Sequence, residues 1–366
     1  MKTKRLLSAL LASALVAAIV VTAASASFHK ASTSSAKVFR IALANSFIGN
    51  TWRLEMENIF KAGCQMPPYN KEISCSVFNS GNDVATQTQQ ISNLISQGVN
   101  AIVIDAASAT GLNAVVAQAC ARGIVVVSFD NVVTAPCGQT VNTNQLEFGK
   151  LGAQFLVNKL RGKGNVVMVT GVPGTFGDTQ RNLGVLDVFK ANPGIHVVAK
   201  YSGMWDSATA ESTTAAQLPS LPKINGIWVS GGTDGVMKAL VDAKYSPLPV
   251  MAGEAENGFR RYLLPGGYNS KTVVGQSLGQ PPFLSLASLQ LALEILQKKH
   301  AKTSVVLPFP IVNNQTVKLG KTVFSTEPDS FFDDFTDSGP KATVVICLKA
   351  ALTGKACPGS LHIQVP

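Results

Sequence analysis

Side chains that could hold a polar solute stand at the ends of apolar runs all along this chain. Asn50, Trp52 and Arg53 follow the first run, and Asp105 follows a later one. Asp130 with Asn131, Thr233 with Asp234, and Glu254 close three more, while Arg181, Trp205 and Gln276 lie in or beside other polar segments. Carboxylates accept hydrogen bonds, guanidinium groups donate them, amides do both, and indole rings take flat C–H faces. Together they suit a ligand rich in hydroxyl groups. Each also has an ordinary reading: the tryptophans as core, Asp105 and Asp130 as caps or turn ties, and Arg181 as a solvated helix cation.

Other chemistries find less support. Gly275-Gln276-Ser277-Leu278-Gly279 matches the G-x-S-x-G elbow of serine hydrolases, and His362 follows in suitable chain order. That elbow needs a helix to begin at the serine. Pro281-Pro282 delays the helix to about Phe283, and His362 lies close to the chain end, so an enzyme using Ser277 is a minor alternative. The glycine-rich stretch Gly171–Gly177 lacks the Gly-Lys-Ser/Thr of a phosphate loop, and no His-Glu-x-x-His occurs. With four histidines in the chain, no metal site and no cofactor are expected.

The candidate residues need a scaffold, and the pattern supplies one. Val38–Ala44 reads as a buried strand, with a helix from about Thr51. Cys75–Phe78 is a short strand. Asp83 caps a helix whose apolar face is Val84, Ile91, Leu94 and Ile95, and Gly98 stops it. Ala101–Ile104 is a strand, Thr110 caps a helix ending at Gly123, and Ile124–Phe129 is the next strand. Further on come strand Val166–Thr170, a helix through Arg181–Lys190, strand Val197–Tyr201 and helix Ser207–Leu218. Strand–helix alternation of this kind gives parallel sheets covered on both faces. Residues 98–131 and 224–257 repeat the order strand, polar loop with aspartate, helix, strand, acidic loop. The repeat predicts an α/β fold of two Rossmann-like lobes. Short ordered crossings near Val141–Gln145 and Gln276–Pro282 would join them as a hinge. In parallel sheets ligands bind beyond the carboxyl ends of strands, which is where the polar set falls. The tail from about Thr303, with Phe331 and Phe332, is expected to complete or clasp the lobes.

The first 26 residues read as a signal peptide: Lys2, Lys4 and Arg5, an apolar core Leu6–Val21, then Ala24-Ser25-Ala26 as a cleavage site. A membrane anchor is the alternative, but the run is near the lower limit for a span and has no stop-transfer flank. Without these residues, 28 basic side chains remain against 21 acidic ones, a net +7. They are scattered apart from Lys298-Lys299-His300, so nucleic-acid binding is not expected. Six cysteines in the exported part suggest disulfides, and the sequence-local set Cys64–Cys75, Cys120–Cys137 and Cys347–Cys357 is the expected pairing.

The pattern resembles the ribose/galactose-type (type I) periplasmic sugar-binding proteins of ABC importers over roughly residues 38–300. The likeness rests on the order of "IALANSFIGNTW", "NDVATQTQQISNLISQGVNAIVIDAAS", "GIVVVSFDN", "GKGNVVMVTGVPGT" and "NPGIHVV". It implies a soluble, monomeric periplasmic receptor that closes on a sugar or sugar alcohol and passes it to a membrane permease. Asn50 and Trp52 would lie in the first loop, Asp105 and Asp130 would accept hydroxyl hydrogens, Arg181 would donate, Trp205 would stack, and Gln276 would contact from the hinge. Trp52-Arg53 replaces the family's aromatic pair, Asn131 its frequent arginine, Thr233-Asp234 its Asn-Asp, and Glu254-Ala255-Glu256 its Phe-Asp loop. Ribose itself is therefore not the expected ligand, and an amino-bearing or acidic solute or a nucleoside would also fit. The expected organisation is signal peptide 1–26, leader 27–37, first lobe 38–142 plus 277–305, second lobe 143–276 plus 306–335, and extension 336–366. A ligand sensor docking on a chemoreceptor or kinase is the alternative role. A sugar-responsive repressor is disfavoured by the leader and the lack of a helix-turn-helix.

Overall fold

The computed structural model describes residues 38–65, 69–299 and 304–332. The third expected cysteine pair, Cys347–Cys357, and His362 lie outside them. The first strands are β1 (Phe39–Asn45), β2 (Ile73–Asn79), β3 (Ala101–Asp105), β4 (Val125–Phe129) and β5 (Gln139–Asn142). They pair in parallel, in the order β5-β4-β3-β1-β2. β3 and β4 are buried at every position, as central strands covered on both faces must be, so their sequences run apolar without alternation. The second sheet uses β6 (Gly164–Thr170), β7 (Ile195–Ser202), β8 (Gly226–Val229), β9 (Val250–Gly253) and β10 (Gly275–Leu278), in the order β10-β9-β8-β6-β7. Two short strands finish the edges. β11 (Val305–Val306) joins β5 in parallel, and β12 (Ile311–Asn313) joins β10 antiparallel.

Helices sandwich each sheet. α1 (Thr51–Gln65) packs on one face of the first sheet, and α2 (Val84–Gln97) and α3 (Asn113–Ala121) pack on the other. Asp83 caps α2 by accepting from Thr86 N, and Gly98 ends it at φ 67°. In the second lobe α4 (Gln145–Lys159) and α5 (Phe176–Lys190) cover one face, with Trp228 fully buried beneath them. α6 (Ser207–Gln217), α7 (Thr233–Asp242) and α8 (Asn257–Leu263) cover the other. α9 (Leu284–Leu296) returns to the first lobe beside α1, burying Leu286 and Leu289. Two disulfides brace the first lobe. Cys64–Cys75 ties the end of α1 to β2, and Cys120–Cys137 ties α3 to the β4–β5 loop.

Three sequence expectations change. Thr110 does not cap α3, which starts two residues later than that reading required; Leu112 stands at its cap position without a side-chain bond. The stretch Gln276–Leu278 is not a crossing, because it pairs with β9 and β12 inside the second sheet. The chain crosses only after it, through Gly279–Phe283, so the expected boundary at residue 277 cuts a strand. Finally, no helix was expected over 145–159, where α4 lies.

Candidate functional site

The ends of β1, β3 and β4 bring the first lobe's polar side chains together. Asn50 closes the start of α1, its Oδ1 accepting from Arg53 N at 2.9 Å. That start turns Arg53 beneath the sheet ends, where its guanidinium donates to Asn45 Oδ1 at 2.9 Å, to the Asp105 carboxylate, and to Asp130 Oδ2 at 3.3 Å. Asp130 adopts φ 51°, a left-handed turn rare for a residue with a side chain. Its Oδ1 accepts from Gln280 Nε2 at 2.8 Å and its Oδ2 from Asn131 Nδ2 at 2.8 Å. Trp52 is fixed by donating its Nε1–H to the Gln280 carbonyl at 2.6 Å.

The second lobe faces this group with its own guanidinium. Arg181, on α5, donates Nε–H to Gln145 Oε1 at 2.7 Å and Nη1 to Ser230 Oγ at 3.3 Å, and its Nη2 pairs with Glu254 Oε1 at 3.0 Å. The guanidinium carbon lies 4.0 Å from the centroid of the Phe148 ring, a stacking contact that holds the planar group still. Trp205, at φ 56°, donates Nε1–H to Ser230 Oγ at 3.2 Å. Gly171 lets the indole in: a Cβ there would sit 1.9 Å from Trp205 Nε1.

The two faces touch. Asn50 Nδ2 donates to the Trp205 carbonyl at 3.0 Å, and Gly177 N donates to Asn131 Oδ1 at 3.0 Å. Between them lies a cavity of about 320 Å3 lined by Asn50, Trp52, Arg53, Asp130, Arg181, Trp205, Glu254, Gln280 and Phe332. Charge in it is dehydrated. Burial lowers Arg53 to about 10 while Asp130 opposes the shift, so the group stays cationic near neutrality. Burial raises Glu254 while Arg181 opposes that shift.

Seven of the expected residues, Asn50, Trp52, Arg53, Asp130, Arg181, Trp205 and Glu254, line this cavity. Asp105 is fully buried behind Arg53 and orients it. Asn131 bridges the lobes beside the cavity. Gln276 is displaced from it, because it belongs to β10; the glutamine at the crossing is Gln280. Thr233 is spent inside the second lobe, its Oγ1 accepting from Glu254 N at 2.9 Å. Asp234 accepts from Ser207 Oγ at 2.6 Å and lines a different cavity. Gln280 was not singled out, and Phe332 was named only as part of the tail expected to clasp the lobes. The signal for Gln280 was its place directly before Pro281-Pro282. Phe332 gave no signal as a cavity-lining residue; it reaches the site from the tail, where its N–H donates to Glu55 Oε1 at 3.0 Å. Ser277, the serine of the elbow motif, is buried within β10, accepts from Arg260 Nε at 2.9 Å, and does not start a helix.

A family model described as periplasmic binding protein domain matches residues 41–300. The chain belongs to this family. It is a family of solute-binding proteins, not of enzymes. Among the proteins similar to it, the xylitol-binding protein of Mycolicibacterium smegmatis is 28% identical over 264 residues, covering 70% of this chain and 74% of that one. The D-ribose/D-allose-binding protein of Pseudomonas aeruginosa is 28% identical over 239 residues, covering 63% and 74%. The crystal structure of an ABC transporter solute binding protein from Thermobispora bispora superposes with a TM-score of 0.74 at 25% identity, covering 89% of this chain and 99% of that one. The fold is therefore that of the two-lobed periplasmic binding proteins.

Proposed function

We propose that this protein captures a small polyhydroxylated solute, a monosaccharide or related polyol, between its lobes and delivers it to the permease of an ABC importer. The observation that carries this reading is the composition of the interlobe cavity, to which each lobe contributes an arginine–carboxylate set and a tryptophan. Carboxylates accept hydroxyl hydrogens, guanidinium groups donate to hydroxyl and ring oxygens, and indole faces cover C–H surfaces. Because the two sets come from opposite lobes, the solute completes its hydrogen bonds only when the lobes meet, and the closed form is what a permease can distinguish. The names of the relatives, which bind xylitol and ribose or allose, point the same way. Residues 1–26 would direct export to the periplasm, where the protein acts as a monomer.

A thermal-shift panel of xylitol, D-ribose, D-allose and their polyol and nucleoside analogues tests this. At a ligand concentration ~100-fold above Kd, stabilisation by about 2.7 kcal/mol is expected. A panel in which no hydroxylated solute raises the melting temperature would overturn the proposal.

A further inference from the structure

Past the Asn50–Trp205 hydrogen bond the cleft opens into a second, outer compartment of about 610 Å3. Asn50, Trp205 and Phe332 line both compartments, and both lobes contribute to the outer one, Thr51 from one side and Asp206 and Glu256 from the other. Glu256 is 1% exposed. Its Oε1 accepts from Gly232 N at 2.5 Å and from Thr233 N at 3.2 Å, whereas its Oε2 has no hydrogen-bond partner among the described residues. A buried carboxylate oxygen left without a donor is costly, and a ligand in the compartment can supply one.

The surroundings decide which donor. Every charged side chain lining the compartment is acidic, with neither lysine nor arginine among the described residues there. A hydroxyl would satisfy the oxygen but would not compensate the charge that Glu256 carries once it is ionised. An ammonium group does both, and the walls include the aromatic residues Trp205 and Phe332, whose kind attracts cations within about 6 Å of a ring face. A bare metal ion fits worse, because among the described residues no group of three or more His, Cys, Asp or Glu side chains is placed to hold one. We propose that the outer compartment is a second ligand site, which takes a small organic ammonium either as a free amine or as an amine arm on the solute in the inner cavity.

The groups around Glu256 give the site a pH signature. Burial, and after it the charges of Asp234 on α7 and Glu254 after β9, raise Glu256 to about 8. Asp206 at the start of α6 shares the compartment, and Asp329 acts on Asp234. On α8 itself, Arg260 is turned to Ser277 Oγ and the Thr322 carbonyl. A bound ammonium takes the ionised carboxylate, so binding releases a proton and tightens as pH rises.

Calorimetric titration with ethanolamine, and with D-glucamine against D-glucitol, tests the site. Ethanolamine is expected to bind saturably and about tenfold more tightly at about pH 8.5 than at about pH 6.5. Glu256→Gln should weaken it at least tenfold while still melting cooperatively, and Asp206→Asn, which keeps a capping side chain, should weaken it less. Binding by ethanolamine alone identifies a free amine, and D-glucamine binding more tightly than D-glucitol identifies an amine arm; either supports the site. No saturable amine binding, equal binding by Glu256→Gln, or sodium or magnesium ions displacing the amine would overturn it. The test is separable from the import reading: ethanolamine binding without any polyol binding overturns the polyol assignment alone, and polyol binding without amine binding overturns only the outer site.

Discussion

The two lobes share a topology but hold their buried charge differently. In the first lobe Arg53 sits between Asp105 and Asp130, with Asn45 and Gln280 filling the remaining hydrogen-bond positions, and two disulfides brace the surrounding layer. In the second lobe Arg181 pairs with Glu254, while burial raises Glu254, Glu256, Asp234 and Asp178 together. Among the described residues no disulfide lies in that lobe. Ion pairs taken out of water repay their dehydration only when the geometry is complete. The contrast teaches that one lobe is a fixed face whose single arginine is shared by two carboxylates. The other is an acidic face whose protonation varies with pH.

Removing the cation from each lobe breaks the comparison most sharply. Arg53→Ala strands two buried carboxylates and should cost about 3–5 kcal/mol in urea denaturation. Arg181→Ala should cost less, because Glu254 is already biased towards its neutral form. Equal losses would remove the asymmetry. Next in size, Cys64→Ser with Cys75→Ser opens a loop of 11 residues and should cost about 3 kcal/mol, measured on the same denaturation curves.

The pH response sharpens the contrast. Glu256 binds its proton more tightly when folded, so its contribution is complete below the unfolded value near 4.5 and is lost as pH rises through about 8. Between pH 7 and pH 8 that is a loss of about 1 kcal/mol. Melting temperature should therefore fall over this interval in the wild type and fall less in Glu256→Gln. The smallest effect concerns the tail. Phe332→Leu keeps an apolar wall but removes the ring, and should weaken solute binding by about 0.5–1.5 kcal/mol, read by calorimetry.

Much of this was legible because parallel sheets write themselves plainly. The continuous apolar runs of β3 and β4 end in Asp105 and Asp130, and the acidic loops mark where strands stop. What escaped has specific causes. β5 and β10 are four residues each and partly polar, so they resemble connections. That resemblance moved the hinge glutamine from Gln280 to Gln276. α4 carries Gly149 and Gly152, which dilute a helical pattern. Yet Gly149 is what allows close packing, since a Cβ there would fall 2.0 Å from the Arg181 carbonyl. Phe332 is held by a hydrogen bond to Glu55, 277 residues earlier, a distance no local periodicity spans.

The central claim is that one solute is held from both sides at once, and titration of single-lobe variants tests it most directly. With the strongest binder from the hydroxylated panel, Asp130→Asn and Arg181→Ala should each weaken binding at least tenfold, about 1.4 kcal/mol, while retaining cooperative melting. Wild-type affinity in either variant would contradict the account.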